Sequence, residues 1–149
     1  MASLAMSRAE REAFLAAVRV GVISIADDGS GPLSVPIWYG YEPGDDLWIV
    51  TGRESRKGKL LMKADRFSLC AQTETPPYQY VSVEGPIVAL ERAEVERHTR
   101  VLARRYLGKE AGDAYIKATG ASDENDGSIV VRMRPERWLT VDYGKAYGR

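Results

Sequence analysis

The stretch from Tyr78 to Glu91 reads as the longest strand of the chain, rich in Val and Tyr, and it carries Gly85-Pro86 in its middle. Proline cannot donate to a sheet ladder and glycine adds no side chain to it, so a strand interrupted in this way bulges or bends. A bend in a long strand is the device by which a sheet curls toward a barrel. The rest of the chain has to be compatible with such a curled sheet.

It is. Ser7 and Glu10 form a capping-box pattern ahead of Phe14, Leu15 and Val18, which predicts a first helix over about residues 8 to 18. Val20 to Ala26 is short and β-branched, and the Asp27-Asp28-Gly29-Ser30-Gly31 cluster turns it into a hairpin. From Leu33 to Tyr41 apolar residues fall at odd positions, so these face the core and leave Ser34, Pro36, Trp38 and Gly40 on the other face. That second face is unusual. Pro36 and Gly40 mark an edge, a bulge or a place where a ligand or another backbone comes close, and Trp38 between them is either a platform for a flat ring or a piece of interface.

Leu47 to Gly52 follows as a strand, then a short helix ending near Ala64, a strand from Arg66 to Thr73, and the long bent strand. Helices are expected over Ala93 to Leu107, with Gly108 as cap, and over Glu110 to Thr119. A polar loop runs from Gly120 to Gly127. Ser128 to Arg134 and Arg137 to Tyr143 read as a final strand pair around Pro135-Glu136. At 149 residues, a single domain over 1–149 is expected.

Scarce residue types exclude several chemistries. Cys70 is the only cysteine, which excludes an internal disulfide and a multi-cysteine zinc site, and it reads as a small core residue on a strand. His98 is the only histidine, and Val95, Leu102 and Tyr106 lie on its face at helical spacing, so it reads as a packed helix residue rather than a catalytic base. No metal site is expected, and no dedicated acid or base is evident. An enzyme so equipped relies on a bound organic cofactor. The chain lacks an apolar run of about 18 residues, so no membrane association is expected and the cytoplasm is the expected compartment. Its formal net charge of zero, with one short basic segment, also argues against nucleic acid as a partner.

That basic segment, Arg53 to Lys63, holds most of the functional information. It follows an apolar strand that ends in Gly52 and enters a helix, whose first turn presents unpaired N–H groups and partial positive charge. Ser55, Lys57 and Lys59 placed there form an anion site suited to a phosphate, with Arg53, Arg56 and Lys63 adding charge. The competing interpretation of the same residues is a solvated basic helix face.

The order Ser34-Val35-Pro36-Ile37-Trp38-Tyr39, then Leu47-Trp48-Ile49-Val50-Thr51-Gly52, then Ser55-Arg56-Lys57-Gly58-Lys59-Leu60-Leu61 resembles the pyridoxamine-phosphate-oxidase-like split β-barrel family. Tyr78 to Pro86 and Arg105-Tyr106-Leu107-Gly108 are similar to its deazaflavin (coenzyme F420)-dependent reductase branch. The resemblance implies a mainly β (α+β) fold, a split, FMN-binding-like barrel with peripheral helices, and a homodimer with two cofactors in its interface. It implies an oxidoreductase that moves a hydride between F420 and a small organic substrate, with an FMN-dependent enzyme or a non-catalytic flavin carrier as alternatives. Lys57 and Lys59 would bind the cofactor phosphate, alongside Ser55 and Arg56. Pro36, Ile37 and Trp38 would line the ring, and Val50, Thr51 and Gly52 would offer backbone contacts. Tyr78 and Tyr80 would cover the site from the partner chain. The chain departs from the family pattern at Leu60, where an Asn is usual, and at Ala64-Asp65-Arg66, where the common form has proline. It also lacks the C-terminal histidine that pyridoxamine-phosphate oxidases use for substrate phosphate. Surplus cations around the phosphate position favour F420, whose tail is anionic, over FMN.

Overall fold

The computed structural model describes residues 3–122 and 127–148. The element order is α1 (Arg8–Ala16), β1 (Gly21–Ile25), β2 (Leu33–Ile37), β3 (Leu47–Gly52), α2 (Arg56–Lys63), β4 (Arg66–Gln72) and β5 (Gln79–Arg92). A π-helical turn (Val95–Thr99) then leads into α3 (Arg100–Leu107), α4 (Lys109–Thr119), β6 (Ser128–Met133), β7 (Arg137–Asp142) and a 3-10 turn (Tyr143–Tyr147). The strands form an antiparallel sheet in the order β2-β1-β4-β5-β6-β3, with β7 also paired to β5. Curled on itself, this sheet is a split β-barrel with peripheral helices.

Strand β5 makes the curl. Its first half pairs with β4 and β7, and its second half pairs with β6, with a register shift between Ile87 and Ala89 just past Gly85-Pro86. Gly85 is required at the bend: a Cβ there would lie 1.8 Å from the Arg134 carbonyl oxygen. The expected β6–β7 hairpin does not form. Instead the two strands run in line along one edge of β5, joined through Arg134 N–H to Pro86 O (3.0 Å) and Glu136 N–H to Glu84 O (3.0 Å). The reason lies in β5: its bend at Gly85-Pro86 lets β7 pair with its first half and β6 with its second, so each strand finds its partner there rather than in the other.

Alternation along the strands fills the barrel. Ile23, Ile25, Leu47, Ile49, Leu69, Val81 and Met133 are fully buried there. Helix α1 closes one end with Leu15, and its capping box is in place, with Glu10 N–H donating to Ser7 Oγ (3.1 Å) and Ser7 N–H to Glu10 Oε1 (2.7 Å). Cys70 is not in the core. On β4 the inward positions are Phe67, Leu69 and Ala71, so the period of two turns Cys70 outward between Val22 and Ser82. Gly40 serves the fold rather than a ligand, because a Cβ there would lie 2.2 Å from the Trp48 ring.

Helices α3 and α4 lie outside the barrel. A separate small cluster of Val95, Ala103 and Ile116, with Trp38 and Ala121 against it, packs this helical layer.

Candidate functional site

Between the outer surface of β2 and β3 and the helical layer lies a cleft of about 780 Å³. The strand side supplies Pro36, Ile37, Trp38, Val50, Thr51 and Gly52, and the start of α2 adds Ser55 and Lys57. Thr99, Leu102, Tyr115, Thr119, Gly120 and Ala121 face them from the helical layer, and Val20 and Ser128 also contribute.

The α2 corner is built from the backbone outward. Ser55 is the N-cap: its Oγ accepts from Gly58 N–H (3.0 Å), donates to Gly52 O (2.7 Å) and lies 3.1 Å from Thr51 Oγ1. A hydroxyl has one proton and two lone pairs, so these three partners leave Ser55 Oγ nothing for a ligand. Its role is to hold the corner. Gly58 is the close-approach residue, because a Cβ there would sit 2.1 Å from Gly52 O. Leu61, fully buried, anchors the helix from the other side and contributes about 1.5–3 kcal/mol. The arrangement leaves the N–H groups of Arg56 and Lys57 outside the helical ladder, with Lys57 on the cleft wall.

The remaining cations separate. Arg56 is ion-paired with Asp27 of the β1–β2 turn and does not line the cleft. Lys59 is exposed and likewise outside it, since positions two apart on a helix project about 200° from each other. Tyr78, half exposed, and Tyr80 stand beyond the cleft of their own chain. Thus Pro36, Ile37, Trp38, Val50, Thr51, Gly52, Ser55 and Lys57 come together, whereas Arg56, Lys59, Tyr78 and Tyr80 do not join them.

Trp38 is a wall stiffened from behind. Its ring stacks on Tyr106 (centroids 5.2 Å, planes 6° apart) and meets Tyr115 at a tilt (5.4 Å). Tyr106 is fixed in turn: its hydroxyl accepts from Tyr39 N–H (3.1 Å) and lies 2.7 Å from Arg19 O, to which it donates. Arg105 beside it donates to Ala16 O (3.0 Å) and Ala17 O (3.1 Å), closing the C-terminus of α1. The backbone turns extended at Ala17 (φ −66°, ψ 154°), so α1 stops at Ala16 rather than reaching residue 18, and Arg105 satisfies carbonyls left open there.

The helical wall starts at His98. Its Nδ1 accepts from Glu94 N–H (2.9 Å) and its ring meets Trp48 edge-on (5.7 Å). Burial holds the imidazole below its ordinary pKa, helped by the positive charges of Arg132 and Arg97, so the ring is neutral near pH 7. This is the packed histidine expected from its spacing. The lining residues on this wall, Thr99 and Tyr115 above all, were not singled out from sequence. Tyr115 and Thr119 sit four apart on one helical face, a pattern equally consistent with any solvated helix. Among the described lining residues there is no carboxylate and no imidazole. Part of the Gly120 to Gly127 loop, residues 123–126, lies outside the described residues.

Comparison with known proteins agrees with this architecture. A conserved hypothetical protein of Mycobacterium tuberculosis superposes with a TM-score of 0.77 at 22% identity, covering 99% of this chain and 91% of the other. A protein described as an F420 reductase superposes at 0.60 with 14% identity, covering 86% and 94%. An FAD-binding protein from Mesorhizobium loti does so at 0.60 with 20% identity, covering 91% and 94%. At such identities these likenesses establish the fold. No curated protein matches significantly. The pyridoxamine 5'-phosphate oxidase family model matches residues 7–142, nearly the whole described barrel and its helical layer, and the chain therefore belongs to the pyridoxamine 5'-phosphate oxidase-like family.

Proposed function

We propose that the cleft binds the deazaflavin coenzyme F420 and that the protein is an oxidoreductase passing a hydride between that cofactor and a small organic substrate. The observation that carries this is the placement of Lys57. It lines the cleft from the first turn of a capped helix, beside a strand wall that is largely apolar and stiffened by the Trp38–Tyr106 stack. A cation next to free helix N–H groups at one end of an apolar slot is what a phosphate-bearing ring cofactor requires. The cleft volume lies in the range of cofactor sites, so the residues present suit the group.

Lys57 and the amides of Arg56 and Lys57 would hold the phosphate. Pro36, Ile37 and Trp38 would flank the ring, with the backbone of Val50, Thr51 and Gly52 along its edge. The bound cofactor supplies the hydride chemistry. The chain's own part is to bind, to orient and to exclude water, the last through Leu102 and Ala121 on the helical wall. Exposed Arg53, Lys59 and Lys63 leave positive charge beyond one phosphate position, which favours an anionic tail and hence F420 over FMN.

The working unit is a homodimer in this proposal. An outward row runs across the sheet by registered pairs from Pro36, itself on the cleft wall, through Val22, Cys70 and Ser82 to Leu139. Val22 and Leu139 are 39% and 63% exposed, so the row presents apolar surface continuous with the cleft. A second copy seated there would bring its Tyr78 and Tyr80 toward the site. Light scattering should then give twice the 16.5 kDa chain mass.

Fluorescence titration tests the cofactor. F420 should bind more tightly than FMN, with affinity falling as salt is added because part of the grip is charge on charge. Equal or tighter FMN binding without salt dependence replaces F420 by FMN. Binding without turnover, given a range of acceptors, leaves a carrier.

A further inference from the structure

Thr99 lies on the cleft wall, and its hydroxyl has no partner. The residue as a whole is partly exposed, yet its Oγ1 is sealed from solvent and bonds nothing. Two other buried side-chain atoms among the described residues share that condition, the Nε atoms of Arg11 and Arg105. Both belong to guanidinium groups that are engaged elsewhere. Arg11 lies 4.6 Å from the centre of the Trp138 ring, and Arg105 donates to Ala16 O and Ala17 O through its Nη2. Thr99 has one polar group and no such second use for it.

The local backbone explains how this arises. A helical threonine commonly returns its hydroxyl to the carbonyl four residues back, as Thr119 does to Tyr115 O (2.9 Å). Thr99 instead ends the π turn. There the Glu94 carbonyl accepts from both His98 N–H (2.9 Å) and Thr99 N–H (3.4 Å), while the Arg100 N–H reaches back to Val95 O. The turn is held by the Glu94–His98 side-chain bond and by the packing of His98 on Trp48. Such one-turn widenings are rare and recur at functional sites.

We propose that Thr99 is a ligand-positioning residue: turned by one rotamer into the cleft, its hydroxyl donates a hydrogen bond to a carbonyl oxygen of the bound flavin-class ring. This rests on the cofactor assignment above. Threonine in helical backbone divides between two χ1 rotamers, so the turn is available. The chemistry of the surroundings selects a ring carbonyl rather than a phosphate. Leu102, Ala121 and the rings of Trp38 and Tyr115 surround Thr99 with apolar surface and no charged side chain, and a neutral donor in such a place fixes the orientation of a flat molecule without holding charge. A hydroxyl left unsatisfied in the free protein gains its partner only when the ligand arrives.

Thr99→Val keeps the side-chain shape and deletes the hydroxyl, and Thr99→Ser keeps the hydroxyl. For Thr99→Val, the expected melting temperature of the ligand-free protein is unchanged or higher, because an unsatisfied buried group has gone. Its affinity for F420, or for FMN if that is the cofactor wild type binds, should fall about 3- to 10-fold, the effect of one neutral hydrogen bond. Thr99→Ser should stay within about twofold of wild type. In difference infrared spectra, a carbonyl stretch of the bound ring should move to higher wavenumber in Thr99→Val and not in Thr99→Ser. Wild-type affinity and an unshifted carbonyl band in Thr99→Val overturn the role of Thr99 and leave the cofactor assignment standing. Failure of wild type to bind either probe overturns both. If Thr99→Val does not fold, Thr99→Ala is read in the same way.

Discussion

The strand wall of the cleft is held by main-chain groups, whereas the helical wall is held by side chains that reach across to the barrel. On the strand side, β3 is paired with β6 along its whole length and α2 is seated by Ser55, Gly52 and Gly58. On the helical side, Arg105 and Tyr106 tie α3 to the α1 terminus and to Tyr39, and Asp113 of α4 joins Arg100 (2.7 Å) and Arg104 (2.8 Å) of α3. A wall made of backbone tolerates side-chain exchange and fails when a Cβ intrudes. A wall hung on a few long side chains fails when one of them is cut, although it too has one close backbone approach, at Gly112, where a Cβ would lie 2.8 Å from the Arg104 backbone.

The largest expected effect therefore follows from one added methyl group. Gly58→Ala puts a Cβ 2.1 Å from Gly52 O, an atom that cannot move without disturbing the end of β3. A loss of about 3 kcal/mol or more in urea unfolding is expected, together with loss of cofactor binding. A loss under about 1 kcal/mol would mean that the start of α2 can slide, and the contrast between the walls would fail on its firmer side.

Within that wall, the charge contrast comes next. Lys57→Ala should weaken cofactor binding about 10- to 100-fold, as expected for a hydrogen bond to a charged group, with an unchanged melting temperature. Lys59→Ala should stay within about threefold. Equal losses would place both lysines on the ligand, which requires a path to the exposed Lys59 that a single chain does not offer.

Much of the strand wall was legible because its signals are local. The end of β3 at Gly52, the N-cap Ser55 and the alternation around Pro36 are set within a few residues of sequence, and Lys57 follows from them. Arg56 and Lys59 were not separable from Lys57 by charge alone; the helical angle and Asp27, far away in sequence, divide them. The β6–β7 register depended on β5, and no feature of Pro135-Glu136 itself announces an in-line junction. The helical wall was least legible. Thr99 acquires its place from a π turn, and helical periodicity assumes that no such turn exists. Arg105-Tyr106, part of the likeness to the F420 branch, turn out to be tethers of the fold that act on the cleft only through Trp38.

Those tethers give a smaller effect on the other wall. Arg105→Ala removes two hydrogen bonds from the end of α1, and a loss of about 1–2 kcal/mol is expected by chemical unfolding. Amide exchange should quicken at the end of α1 and in α3, while β3 and α2 keep their protection. Uniform acceleration across both walls would show that they unfold as one unit and that the distinction has no dynamic content.

The smallest effect is a pH dependence confined to the helical wall. His98 is buried and neutral, and its Nδ1 can accept from Glu94 N–H only while unprotonated. Burial is the main cause of its lowered pKa; Arg132 and Arg97 add to it, and Glu94 and Glu91 oppose it. In the unfolded chain the ring titrates near about 6.5. Below that pH the unfolded state takes up a proton that the folded state resists, so the contribution of His98 is complete above about 6.5. It declines as pH falls toward the lowered folded value and levels off beneath it. Glu10 and Asp113, each held down to about 2, the first chiefly by Lys145 and the second by Arg104 and Arg100, titrate well below this window. Melting temperatures between about pH 7.5 and 5.5 should therefore fall more for wild type than for His98→Asn, whose amide oxygen accepts a hydrogen bond and does not titrate. Equal falls in the two proteins would assign the pH dependence to other groups. A greater fall in the variant would mean that His98 is protonated in the fold, and the π turn would then need a different support.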